Sequence, residues 1–187
     1  DSNGPSYSYN LDMAKSHFKE AGVWDSGFTF TAYYNSGNDV RLNALLLLEN
    51  AIEGMNDNFN MEVQGLEWPD YLDKLRAGEL PLFFLGWAPD YADPHNYAHP
   101  FLHSDGHFPH YLNFAYDDMD DIIMEAASEP SKSQRVVLYK DLADVEHDKA
   151  LYIWASQGIG YHFERDWVNG WYHNMMHSTL YYQLSKD

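Results

Sequence analysis

Apolar and polar residues change their period several times along the first half of the chain, and each change marks an element. Leu11, Ala14, Phe18 and Ala21 recur at helical spacing behind Asn10. This predicts an amphipathic helix that Asn10 caps and Gly22 stops. Residues 28–34 alternate in polarity and are rich in β-formers, which predicts a strand. Asn38 or Asp39 then caps a helix reaching about residue 55, apolar on most sides through Leu42, Leu45, Leu48 and Ile52, and so deeply packed. Residues 60–68 predict a second strand. Pro69 suits the first turn of a helix over 70–77, which Gly78 ends. The run 80–86 is the most apolar in the chain, and its closure by Gly86 and Pro89 predicts a middle strand covered on both faces, with a buried helix as the alternative that periodicity leaves open.

Strand, helix, strand, helix, strand is the order laid down by right-handed βαβ units, so the fold class expected is α/β, a mainly parallel sheet flanked by helices. Residues 93–113 are rich in Pro, His and Gly and predict a long functional or docking loop. Helices follow at about 116–127 and 133–148; Val136, Val137, Tyr139, Leu142, Ala143 and Val145 supply the apolar face of the second. Residues 151–155 and 159–163 predict two strands about a Ser156-Gln157-Gly158 turn, and aromatic segments at 167–172 and 180–184 close the chain. Residues 1–8, with Gly4 and Pro5, predict a loose lead-in or hinge remnant.

Composition narrows the partners. The 187 residues carry 11 Lys plus Arg against 29 Asp plus Glu, a net charge of −18, with no basic stripe. That makes nucleic acid and anionic membrane surfaces poor partners, and no nucleic-acid partner is expected. The acidity fits a cationic ligand, solubility or a salty habitat equally. Fifteen Tyr and six Trp supply amphipathic surface. No cysteine is present, which removes disulfides and thiol catalysis. No Gly-rich phosphate loop, Gly-x-Ser-x-Gly elbow or His-Glu-x-x-His occurs, and no cofactor is implied.

Beyond the carboxyl end of the apolar run, where ligands collect in open α/β sheets, come Trp87, Asp90, Tyr91 and Asp93. Carboxylates beside aromatic rings suit an ammonium. The same residues also make ordinary turn chemistry, and Trp87 is equally a core candidate. An alternative site is metal-binding: His95, His99, His103 and His107 repeat every four residues, with His110, Asp93 and Asp105 nearby, as in a zinc or nickel site or metalloenzyme. The competing reading is exposed loop histidines. Asp117, Asp118, Asp120 and Asp121 raise hydrolysis by paired acids, against first-turn charges that offset a helix dipole.

Gly86-Trp87-Ala88-Pro89-Asp90-Tyr91-Ala92-Asp93-Pro94 resembles the Gly-Trp-x-x-Asp-Tyr-x-Asp-Pro signature of the extracellular solute-binding proteins of peptide ABC importers, the oligopeptide- and dipeptide-binding family 5. Tyr9 to Lys15 with Glu20-Ala21-Gly22, Trp68-Pro69-Asp70-Tyr71, and Asn113 with Tyr116 to Ile122 are similar to three further motifs of that family, in its order. The resemblance implies one lobe of a periplasmic-binding-protein-like (type II) fold. It implies a binder rather than an enzyme, extracytoplasmic in the periplasm or at the cell surface, membrane-associated, that carries short peptides or a similar cationic solute to an ABC permease. Asp90 would pair with the ligand's α-amino group. The backbone of Gly86, Trp87 and Ala88 would hydrogen-bond an extended peptide, and Trp87 and Tyr91 would wall side-chain pockets. The chain is then expected to be a carboxyl-terminal fragment, with residues 9–165 as the ligand-binding lobe and 166–187 as segments that rejoin a missing N-terminal lobe.

Overall fold

The computed structural model describes residues 4–158, 160–174, 176 and 179–187. In chain order the elements are α1 (Leu11–Glu20), β1 (Phe28–Asn35), α2 (Asp39–Glu53), β2 (Phe59–Leu66), α3 (Trp68–Arg76), β3 (Leu82–Phe83), α4 (His95–Leu102), α5 (His107–Leu112), α6 (Asp117–Ser128), α7 (Lys132–Lys149), β4 (Val168–Asn169) and β5 (Ser185–Lys186). They form two compact units, one from Asp1–Trp87 with His107–Ala115 and the other from Ala88–Gly106 with Tyr116–Asp187.

In the first unit the helix caps fall where the sequence puts them. Asn10 Oδ1 accepts the Met13 N–H at 3.0 Å, and Asn38 Oδ1 accepts that of Arg41 at 3.1 Å. The strands are parallel in the order β2-β1-β3, with β1 and β2 in register from Phe28 opposite Phe59 to Asn35 opposite Leu66. Ala32, Leu45, Ile52, Phe59 and Met61 form the core, joined by an aromatic cluster in which Phe28 stacks on Phe59 at 4.3 Å and Trp24 meets it edge-on.

The apolar run after residue 80 is not the middle strand; β1 is. Only Leu82 and Phe83 pair, opposite Ala32 and Tyr33, and β3 lies at an edge of the sheet among the described residues. Pro81 lacks an N–H to give, and residues 82–85 are half-buried rather than covered on both faces.

The second unit is built on α4, α6 and α7 around Ala98, Leu102, Met119, Ile123 and Leu142. Residues 93–113 are therefore not a loop but contribute two short helices, α4 and α5. Pro100 stays within α4, whose Ala98 and Leu102 are buried. Residues 151–155 form no strand. Ala150 takes a left-handed cap at the end of α7, turning the chain so that the polar tips of its aromatics reach helices. The Tyr152 hydroxyl donates to the Phe101 carbonyl at 2.6 Å, and the Trp154 indole donates to Glu146 at 3.1 Å. Ile159 lies outside the described residues, and residues 160–163 join no sheet. The two closing segments reduce to an antiparallel pair, Val168 opposite Lys186 and Asn169 opposite Ser185, with a 3-10 turn at Tyr181–Gln183.

Each core has a separable test. Ile123→Ala, at a fully buried site, is expected to cost about 2–5 kcal/mol. Tyr71→Phe, which removes one buried hydrogen bond to the Phe84 carbonyl, is expected to cost about 1 kcal/mol. Urea denaturation of the two variants checks the order.

Candidate functional site

The segment after β3 is held by its backbone. The Phe84 N–H donates to the Tyr33 carbonyl at 2.9 Å, and its own carbonyl accepts the Tyr71 hydroxyl at 3.1 Å. Tyr71 is wholly buried, and burial pushes its phenol above the usual range, so it stays a neutral donor. Two residues later Gly86 is exposed, with the guanidinium of Arg41 lying against it. Trp87 is half-buried and meets buried Phe108 of α5 edge-on, centroids 5.8 Å apart.

In the second unit Ala88, Asp90 and Tyr91 are exposed. The Asp90 N–H donates to buried Asn96 Oδ1 at 2.7 Å, while its carboxylate makes no hydrogen bond or ion pair among the described residues. The Tyr91 hydroxyl contacts His95 Nδ1 at 2.8 Å. Asp93, grouped with Asp90 on sequence grounds, has a different place. Its two oxygens accept Arg135 Nη1 and Nη2 at 3.0 and 2.7 Å, and Oδ1 also accepts the His95 N–H at 2.9 Å at the start of α4. The Arg135 bonds and then this N–H hold its carboxyl below the ordinary carboxylate range.

The four histidines do not share one helical face. His95 and His99 belong to α4, His103 leaves it with extended backbone, and His107 begins α5 in the other unit. Glycine is required at 106 in the turn between the two helices, because a Cβ there would stand 2.2 Å from the His99 carbonyl oxygen. The His99 and His103 rings stack face to face at 4.5 Å instead of converging on a point. Among the described residues no group of three or more His, Asp or Glu is placed to hold a metal ion. Asp117, Asp118 and Asp120 occupy the first turn of α6, where negative charge is favoured. Asp118 pairs with Lys149 at 3.1 Å, and Asp120 accepts the Ser104 N–H at 2.7 Å, so they are spoken for locally.

Sequence reasoning missed Arg41, Arg135 and Asn96. A basic residue in the first turn of a helix opposes the positive end of the dipole, so Arg41 was the detectable one. Arg135 is 42 residues from Asp93 and its pairing has no local signal.

The model of the bacterial extracellular solute-binding proteins, family 5 Middle, matches residues 1–108. Heme-binding protein A of Haemophilus influenzae is 26% identical over 188 residues, covering 97% of this chain and 34% of that protein. The dipeptide-binding protein of Escherichia coli K12 is 28% identical over 153 residues, covering 77% and 28%. This chain thus spans about a third of these curated relatives' length. Among solved structures, HbpA2 from Haemophilus parasuis has a TM-score of 0.77 at 19% identity, over 100% of this chain and 37% of that one, a likeness of fold.

Two pH effects follow. The depressed Asp93 carboxyl stabilises the fold above the ordinary carboxylate pKa, and that contribution is lost as pH falls through its lowered value. Asp93→Asn is therefore expected to melt a few degrees lower at pH 7 and to approach the parent in strong acid, read by thermal melts across pH. Burial, then His103 and His95, holds the His99 imidazole below its usual pKa, with Asp105 and Asp120 opposing. Stability should fall as pH drops from 7 towards 5, and His99→Gln should flatten that part of the profile.

Proposed function

Because the chain belongs to the bacterial extracellular solute-binding proteins, family 5, we propose that it is the ligand-facing lobe of an ABC importer's binding protein, capturing short peptides or a similar ammonium-bearing solute outside the cytoplasm. The observation that carries this reading is the state of Asp90. The residue is exposed and its carboxylate has no hydrogen bond or ion pair among the described residues, in the stretch that resembles the family's Gly-Trp-x-x-Asp-Tyr-x-Asp-Pro signature, whereas Asp93 is engaged by Arg135. An unpaired acid presented by a backbone anchored through Asn96 suits an incoming α-ammonium group.

In this reading the backbone of Gly86, Trp87 and Ala88 hydrogen-bonds the main chain of an extended ligand, which tolerates varied side chains. Trp87 and Tyr91 wall the pockets for those side chains. The role is binding, not catalysis, in the periplasm or at the cell surface with the protein membrane-associated. A second lobe closes over the ligand by hinge motion, and an ABC permease reads the closed form. Residues 9–165 form the ligand-binding lobe, and 166–187 pack on that second lobe. The exposure of Trp167, Tyr172, Tyr181 and Tyr182 supports this assignment. A ligand gripped by one lobe only keeps part of its contacts, so binding to this chain alone should be weak.

Calorimetry with a mixture of short peptides should give little or no heat, and nanomolar affinity would contradict the two-lobe account. At millimolar peptide, amide NMR signals of Asp90 and Tyr91 should shift. Asp90→Asn or N-acetylation of the peptide should weaken this response about tenfold or more. A response indifferent to both changes would overturn the assignment of Asp90.

A further inference from the structure

The sheet of the first unit has two edges among the described residues, and they are built differently. β3 offers two paired residues behind Pro81, too short a strand to attract another. β2 offers eight, Phe59–Leu66, in unbroken register with β1 and without a proline. An edge of that length presents a row of backbone groups that a further strand can take.

The register fixes which groups point outward. The Phe28 N–H donates to the Asn58 carbonyl at 3.2 Å and the Ser36 N–H to the Leu66 carbonyl at 2.7 Å, so the ladder with β1 uses the even-numbered residues of β2. The N–H and C=O groups of Phe59, Met61, Val63 and Gly65 therefore face away from β1. The Phe59 N–H turns onto the Asn56 carbonyl at 2.9 Å. The Met61 N–H is taken by a side chain, Glu53 Oε1, at 3.1 Å. Glu53 is the last residue of α2, where a negative charge meets the negative end of the helix dipole, so helix chemistry does not account for an acid there. The bond to β2 supplies a reason.

We propose that the outer edge of β2, from Met61 to Gly65, is a pairing surface for the same strand of a second copy of this chain, and that the Glu53 carboxylate holds it closed. The strand is self-complementary about Val63. A two-fold antiparallel partner sets Val63 opposite Val63 and Met61 opposite Gly65, so all three outward residues exchange hydrogen bonds across the axis. Glu62 then lies opposite Gln64, and no acid faces an acid. Of the three outward N–H groups, Met61's alone is held by a side chain among the described residues, so releasing Glu53 completes the interface. The net charge of −18 on each copy opposes the association, and salt screens that repulsion. The pairing is independent of any solute.

Sedimentation velocity of this chain and its variants, at low and high salt, tests the pairing. The parent is expected to be monomeric. Glu53→Ala should raise the association constant at least about tenfold, with a larger rise at high salt. Glu53→Gln keeps an oxygen that can accept the Met61 N–H and should stay close to the parent. Adding Val63→Pro to Glu53→Ala removes an outward N–H that β1 does not use, and should return the protein to a monomer. A Glu53→Ala chain that stays monomeric at high salt overturns the inference, as does a dimer that Val63→Pro leaves intact.

Amide hydrogen exchange reads the same edge residue by residue and needs no proline variant. In the parent, Met61 should exchange more slowly than Val63 and Gly65. In Glu53→Ala, all three should become slow as protein concentration rises. Concentration-dependent protection that bypasses these three amides overturns the placement of the interface. A Glu53→Gln chain that dimerises as strongly as Glu53→Ala overturns the role given to Glu53, because charge rather than its bond to Met61 would then close the edge.

Discussion

The stretch that leads into α4 in the second unit depends on a division of labour between two carboxylates three residues apart. Arg135 grips both oxygens of Asp93, donates through Nε to the Ala126 carbonyl at 2.9 Å and contacts the Tyr139 hydroxyl. One guanidinium therefore joins the start of α4 to the end of α6 and the body of α7. Because Asp93 also accepts the His95 N–H, the same carboxylate sets where α4 begins. Asn96, one residue into that helix, then fixes the Asp90 backbone while leaving its side chain in water. Among the described residues the acid at position 90 is thus left without a side-chain partner while the acid at position 93 is held by Arg135.

The first unit solves a parallel problem with neutral groups. The carbonyl of Phe84 sits between the end of β3 and the exposed glycine, and the buried Tyr71 phenol satisfies it. A charge at that place would have to be desolvated; a neutral hydroxyl held above its usual pKa costs far less. Asn35 plays the same part for Arg41, orienting a cation without cancelling it. Asp90 and Arg41 are thus each positioned through a neutral asparagine, at the backbone of the first and at the guanidinium of the second.

What the sequence made legible divides by range. Caps and short-range periodicity placed α1, β1, α2, β2, α3, α6 and α7 close to where they lie, because Asn10, Asn38 and Pro69 act on residues within a turn. The parallel direction of the strands was legible too, though not their order, since alternating strands and helices lay down parallel pairs. Two of the errors share one cause. Residues 80–86 and 151–155 are apolar enough for strands, but whether a strand is paired depends on distant chain: β1 takes only two residues of the first, and helical acceptors at Phe101 and Glu146 take the aromatics of the second. Aromatic content states that a segment will be covered, not by what. The candidate site was read in its acids and glycine, whereas its cation and its anchors were not, because Arg135, Asn96 and Arg41 act across space or against helix rules.

The most direct test of the account is carbodiimide labelling of carboxylates read by mass spectrometry, with and without a short peptide bearing a free amino terminus at the millimolar level that weak binding requires. Asp90 should label quickly and be protected by the peptide but not by its N-acetyl form, while Asp93 should label slowly under every condition. Equal labelling of Asp90 and Asp93, or an Asp90 rate that the peptide leaves unchanged, would contradict it.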